Sequence, residues 1–215
     1  MKRLFLIFTL INCLIAINAA EIVVNTTHGD KKIFEFDKNL SEITLSNLIV
    51  ESITGLEQFT NLKKLNFHHV NFINADMSFL SKLNNLETLI FNFVSFKNLN
   101  FVNHLNNLKA LKLGENISIE TDTVDFSKSN LEYLIYSDFQ LKTFPFSLIL
   151  PKSIKFLAIF NISSNILREN WEKDFLVPEV KYYFTSDINW NLNKKGYSNF
   201  IMSNDEFKES YLEYF

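Results

Sequence analysis

The feature that most constrains this chain is a spacing. Between Asn85 and Phe96 the apolar residues fall at Leu86, Leu89, Phe91, Val94 and Phe96. Upstream the same register runs through Leu40, Ile43, Leu45, Leu48 and Val50, then Leu62, Leu65, Phe67, Val70 and Phe72. Downstream it continues through Leu108, Leu111 and Leu113, then Leu131, Leu134, Tyr136, Phe139 and Leu141, then Ile154, Leu157, Ile159 and Ile162. Neither one helix nor one long strand fits this pattern. It suits a short strand, a turn and a return segment, stacked many times so that each unit buries the apolar face of its neighbour. The lead residues Leu40, Leu62, Leu86, Leu108, Leu131, Ile154 and Val180 stand 22, 24, 22, 23, 23 and 26 residues apart. The first unit (Leu40, Ile43, Leu45, Leu48, Val50, Ile53, Leu56, Phe59) and the third (Leu86, Leu89, Phe91, Val94, Phe96, Leu99, Val102, Leu105) agree position for position.

Composition supports one packed unit. The chain has 215 residues, 47% of them hydrophobic, with only 4 Gly and 3 Pro, too few breakers for a loop-rich or disordered protein. The net charge of -3 is spread among mixed signs, with no basic stripe to hold nucleic acid and no acidic tail. The single cysteine, Cys13, lies in the leader, so the rest of the chain has no disulfide, cysteine zinc site or thiol nucleophile.

Residues 1–20 read as a secretory signal: Lys2 and Arg3, an apolar run from Leu4 to Ile17, and small residues before Glu21. The run is shorter than the ~18–20 residues that span a bilayer. Leu10-Ile11-Asn12-Cys13 also resembles a lipobox, and lipid attachment to Cys13 is the alternative to a soluble exported chain. Residues 21–38 carry Ile22-Val23-Val24 and Ile33-Phe34-Glu35-Phe36 around a turn-rich stretch, which predicts a hairpin over the first coil. Residues 39–184 form the repeats, six or seven of them. Residues 185–215 form a closing segment; Ser203-Asn204-Asp205-Glu206 is a capping box, and Phe207 and Tyr211 continue on one helical face. A helix over Asn204 to Phe215 is expected to close the last coil.

The register resembles the short class of leucine-rich repeats, found in bacterial surface internalins among others. The resemblance implies an α/β repeat solenoid: a curved parallel sheet on the concave face, short helical pieces on the convex side, and a protein partner on the sheet. One column departs from that family. Its ninth position usually holds an Asn that bonds the backbone of adjacent coils; here the column reads Leu48, Val70, Val94, Asn116, Phe139 and Ile162.

Side chains alternate sides along a strand, so the concave column reads Glu42, Thr44, Ser46; Lys64, Asn66, His68; Thr88, Ile90, Asn92; Ala110, Lys112, Gly114; Tyr133, Ile135, Ser137; and Phe156, Ala158, Phe160. Its C-terminal half would expose Tyr133, Ile135, Phe156 and Phe160 as apolar anchors, unless the C-terminal segment folds back over them. Lys64, Asn66, His68, Ile90, Asn92 and Lys112 would complete a partner-binding surface. Adjacent strand residues point to opposite faces, so His68-His69 is not expected to chelate one metal ion. No G-x-S-x-G, H-E-x-x-H or phosphate-cradling glycine loop occurs. The sequence therefore predicts a secreted, periplasmic or surface-exposed interaction module. It is expected to be a monomer, without cofactor, metal or catalysis, and to bind another protein rather than nucleic acid. A matrix protein that self-associates through exposed apolar surface is the alternative, and a secreted enzyme a remote one. The four sequons, at Asn25, Asn39, Asn116 and Asn161, are as many as chance gives in so Asn-rich a chain.

Overall fold

A computed structural model describes residues 18–120, 123–137, 147–160, 180–184 and 201–215. The leader with Cys13, the sequon at Asn161 and residues 185–200 lie outside the described residues, as do Phe139 and Ile162. The strands are β1 (Ala19–Thr26), β2 (Lys31–Asp37), β3 (Glu42–Thr54), β4 (Lys64–Asn71), β5 (Thr88–Phe96), β6 (Ala110–Leu113), β7 (Ser118–Ile119), β8 (Thr123–Asp125), β9 (Tyr133–Tyr136), β10 (Ser147–Ile149), β11 (Phe156–Ile159) and β12 (Lys181–Phe184). Among the described residues one α-helix, α1 (Asn204–Tyr214), follows.

Seven of these strands lie side by side in chain order, β3-β4-β5-β6-β9-β11-β12, all parallel. Equivalent residues of the sequence register pair directly: Leu65 with Leu89, Leu89 with Leu111, Leu111 with Leu134, Leu134 with Leu157. The 3-10 turns Leu56–Gln58, Met77–Lys82 and Asn100–His104 return the chain from one coil to the next. The lead residues Leu62, Leu86, Leu108 and Leu131 are all buried, whereas Leu40 is 37% exposed because no coil precedes it.

The predicted hairpin is present. β1 pairs antiparallel with β2 and with the second leg of β3, placing Ile22 and Val24 at 0% exposure over the first coil. The hairpin strand begins at Ala19, which pairs with Asp37; cleavage before Glu21 would remove two of its residue pairs.

Phenylalanine fills the middle of the core. Phe67 stacks on Phe91 at 5.5 Å and Phe72 on Phe96 at 5.8 Å, while Phe67–Phe72 and Phe91–Phe96 meet edge to face at 4.9 and 4.7 Å. Offset and T-shaped contacts of this kind suit the ring quadrupole.

The missing Asn ladder has a substitute one column away. In the residue before three of the lead leucines, Asn85 Nδ2 donates to the Thr60 carbonyl at 2.6 Å, Asn107 to the Asn84 carbonyl, and Asn130 to the Asn106 carbonyl at 2.8 Å; before Ile154, Ser153 Oγ donates to the Leu131 carbonyl at 2.7 Å. These bonds tie each turn to the coil before it, the task an Asn at the ninth position would have performed. Leu48, Val70 and Val94 are simply buried apolar residues. Asn116, which the sequence alone places on a buried ladder, is exposed at a left-handed corner with φ 49°. One extra residue in that coil lets Ile117 take the core position instead. A second ladder runs along the strand starts, where Lys63, Glu87, Lys109, Glu132 and Lys155 alternate in sign. Glu87 meets Lys63 at 3.2 Å and Lys109 at 3.9 Å, and Lys155 pairs with Glu132, a bond that raises the Lys155 pKa. Exposed pairs of this kind add little stability.

Candidate functional site

The outer face of the parallel sheet divides into a covered half and an open half. The division is made by α1. Ser203 starts the helix with a complete capping box: its Oγ accepts from Glu206 N at 3.2 Å, and its own N–H donates to Glu206 Oε2 at 2.7 Å. These bonds, the backbone one foremost, hold the Glu206 carboxyl below its ordinary pKa of 4.5. The residues just before the helix extend the last strand edge, with Ile201 bridged to Tyr182 and Met202 N–H donating to Tyr182 at 2.8 Å. The chain then turns back over the sheet.

One stripe of α1 faces the strands. Phe207 stacks on Tyr183 at 4.2 Å and meets Phe160 at 5.4 Å and Phe156 at 5.9 Å. One turn on, the Tyr211 hydroxyl accepts from Lys112 Nζ at 2.9 Å. Beyond the helix end, the Phe215 main-chain oxygen accepts from Lys64 Nζ at 2.7 Å. The helix the sequence predicts over the last coil is present, but it lies across the outer face of the last strands and continues towards β4. Five strand spacings of about 4.8 Å make about 24 Å. Eleven helical residues span about 16 Å, and the lysine side chains reach across the remainder.

The exposed apolar patch expected from the sequence is therefore corrected. Ile135 is 1% and Phe156 2% exposed, and Tyr133 and Phe160 are half-buried in the same aromatic cluster. Burial follows from the chemistry: four apolar side chains on adjacent strands and the aromatic stripe of a helix on the same chain leave water together. Lys64 and Lys112 hold the helix. Of the remaining predicted site residues, Ile90 is buried at 7% exposure, and Asn66, His68 and Asn92 are half-buried. The Asn66 Oδ1 is buried with no hydrogen-bond partner among the described residues.

The open half has a feature the sequence reading missed. Asn47, His69 and Phe93 occupy one column where each strand turns its corner, with φ 58°, 55° and 55°. The left-handed region suits glycine or asparagine and strains bulky residues. At this corner alternation breaks down, so His68 and His69 do not point to opposite faces: their rings touch at 4.3 Å, and His69 stacks on Phe93 at 4.3 Å with 24° between planes. His68 lies 5.4 Å from Phe93. The result is a ledge of three rings beside Asn92. Asn92 itself sits over Gly114: a Cβ there would lie 1.9 Å from Asn92 Oδ1, so only glycine permits this approach. Among the described residues no group of three metal-ligating side chains assembles, at the ledge or elsewhere.

A second concavity lies away from the sheet face, between the turns Met77–Lys82 and Asn100–His104. It holds about 590 Å³ and is lined by Phe72, Phe101, Asp76, Ser78, Lys97 and His104, among others. Asp76 accepts from the Ser78 hydroxyl at 2.6 Å and from its N–H at 2.9 Å, which lowers the Asp76 pKa. Both bonds serve the start of the 3-10 turn.

The strand register and the parallel order are those of a repeat array with one strand per coil. The fold is a parallel β-solenoid with the register of leucine-rich repeats. No protein-family model and no curated protein matches it. Among solved structures, the crystal structure of an internalin (InlF) from Listeria monocytogenes is similar at 18% identity and a TM-score of 0.36; the match covers 70% of this chain and half of that one.

Proposed function

We propose that this chain is an exported interaction module that binds another protein through the open half of the sheet face. The observation that carries this reading is the strained ring ledge. His69 and Phe93 hold bulky side chains at backbone positions where glycine would sit more easily, and they present those rings beside Asn92 and His68. Strain of this kind is retained where the side chain serves something other than folding, and aromatic residues ringed by polar ones are what protein interfaces use as anchors. The leader supports export, with lipid attachment at Cys13 as the alternative route to a surface. The self-association reading loses its motivation, since the patch on which it rested lies under α1.

The test is capture from the extracellular or surface proteins of the producing organism, with the chain immobilised. A partner retained by the unaltered chain, lost by Asn92→Arg and kept by Lys97→Glu away from the ledge supports the assignment. Capture indifferent to Asn92→Arg refutes it.

A further inference from the structure

We propose that the covered half of the face is a directional helix-binding groove. α1 is its resident occupant in cis, and in trans the groove receives an amphipathic helix of a partner protein with aromatic residues at i, i+4 and i+8. This inference stands apart from the reading above, which concerns the uncovered half.

Three observations carry it. The groove is built into the repeats: Tyr133, Ile135, Phe156, Ala158, Phe160 and Tyr183 are outer-face residues of three adjacent strands, and they form an apolar cluster separate from the main core. The sheet also supplies two cations at fixed distances along the helix path. Lys112 grips the hydroxyl of the central aromatic residue, and Lys64 grips a main-chain oxygen beyond the helix end. A main-chain oxygen at a helix C-terminus is a group that every helix offers, and a cation is favoured there. The groove therefore reads direction and spacing more than it reads one sequence. The occupant, finally, is slight. It is an 11-residue helix that meets the sheet through a single stripe, with Leu212 on its outer side 71% exposed. A helix of that length is marginal by itself, so its order depends on docking, and release would free the groove. This is the helix-in-groove mode of recognition, with the ligand tethered to its receptor.

The experiment uses the full chain and a labelled synthetic peptide of residues 203–215. Phe207→Ser with Tyr211→Ser loosens α1 without altering the sheet. The opened chain is expected to bind the peptide at least tenfold more tightly than the unaltered chain, because a tethered helix competes at an effective concentration of about millimolar. Adding Lys64→Glu to the opened chain should weaken peptide binding, and adding Asn92→Arg should leave it unchanged. If the double substitution unfolds the chain, Ser203→Ala with Glu206→Gln loosens the helix through its cap while leaving the aromatic and lysine contacts in place. Equal binding to opened and closed chains, no binding to a folded opened chain, or binding insensitive to Lys64→Glu would each overturn the proposal.

Discussion

Phe91→Ala is the substitution that most severely tests the packing described here. Phe91 is 0% exposed at the centre of the array. Its ring meets Phe96 at 4.7 Å, Phe67 at 5.5 Å, and Phe72 and Phe101 each at 6.2 Å. Truncating a buried Phe costs about 3–5 kcal/mol. The four aromatic contacts, worth about 0.5–1.5 kcal/mol each in favourable cases, place this site at the upper end, near 5 kcal/mol. Against a typical stability of about 5–15 kcal/mol, that is a third of the total or more. Urea unfolding measures it directly, with Leu212→Ala as the control, since an exposed residue should change stability by less than about 0.5 kcal/mol. Coils contact only their neighbours, so hydrogen exchange should show protection lost first in β4, β5 and β6 and least in the β1–β2 hairpin. A loss below about 1 kcal/mol for a folded Phe91→Ala chain would refute the stacked-ring core.

Other expectations follow from single contacts. Asn66→Val removes a buried acceptor that has no partner among the described residues and should raise stability by about 1 kcal/mol in urea titration. Gly114→Ala drives a Cβ into Asn92 and should cost about 1–3 kcal/mol; Asn92→Gly in the same chain should recover most of that loss, measured by the same titration. His69→Gly relieves a left-handed residue and should stabilise by about 1 kcal/mol, while weakening capture of any partner that uses the ledge. The Glu206 pKa is depressed in the folded chain, so its contribution to α1 is present above the ordinary carboxylate value of 4.5 and is lost as pH falls through the lower folded value. Exchange protection of α1 amides should decline in that acidic window, and Glu206→Gln should remove the pH dependence.

Most of the architecture was legible in the sequence because it is periodic. Leu65, Leu89, Leu111, Leu134 and Leu157 occupy equivalent register positions and pair on adjacent strands. The hairpin and the Ser203 capping box are local signals and were readable for the same reason. What could not be read was where α1 docks. Phe207, Tyr211 and Phe215 define a stripe, but the end of the last coil and the outer face both offer apolar surface to it, and the pattern does not choose between them. The Lys64 and Lys112 contacts decide the matter, and they join residues 151 and 99 positions apart. The corner column was hidden for another reason. Left-handed backbone is usually announced by glycine or asparagine. Asn47 gave that signal, but His69 and Phe93 did not. The substitute ladder was visible in principle, as Asn85, Asn107 and Asn130 each precede a lead leucine. Its column lies one residue before the lead leucine rather than at the ninth position, where the family resemblance places the Asn.

The central claim is that one sequence builds both a sheet face and the helix that covers half of it. Nuclear Overhauser contacts between the Phe207 ring and the rings of Tyr183 and Phe160 test this most directly. At centroid separations of 4.2 and 5.4 Å, strong cross-peaks are predicted, alongside contacts from Tyr211 to Lys112. Their absence in a spectrum that retains the Phe67–Phe91 contact would contradict the account: the repeats would stand, and the covered half of the face would be open.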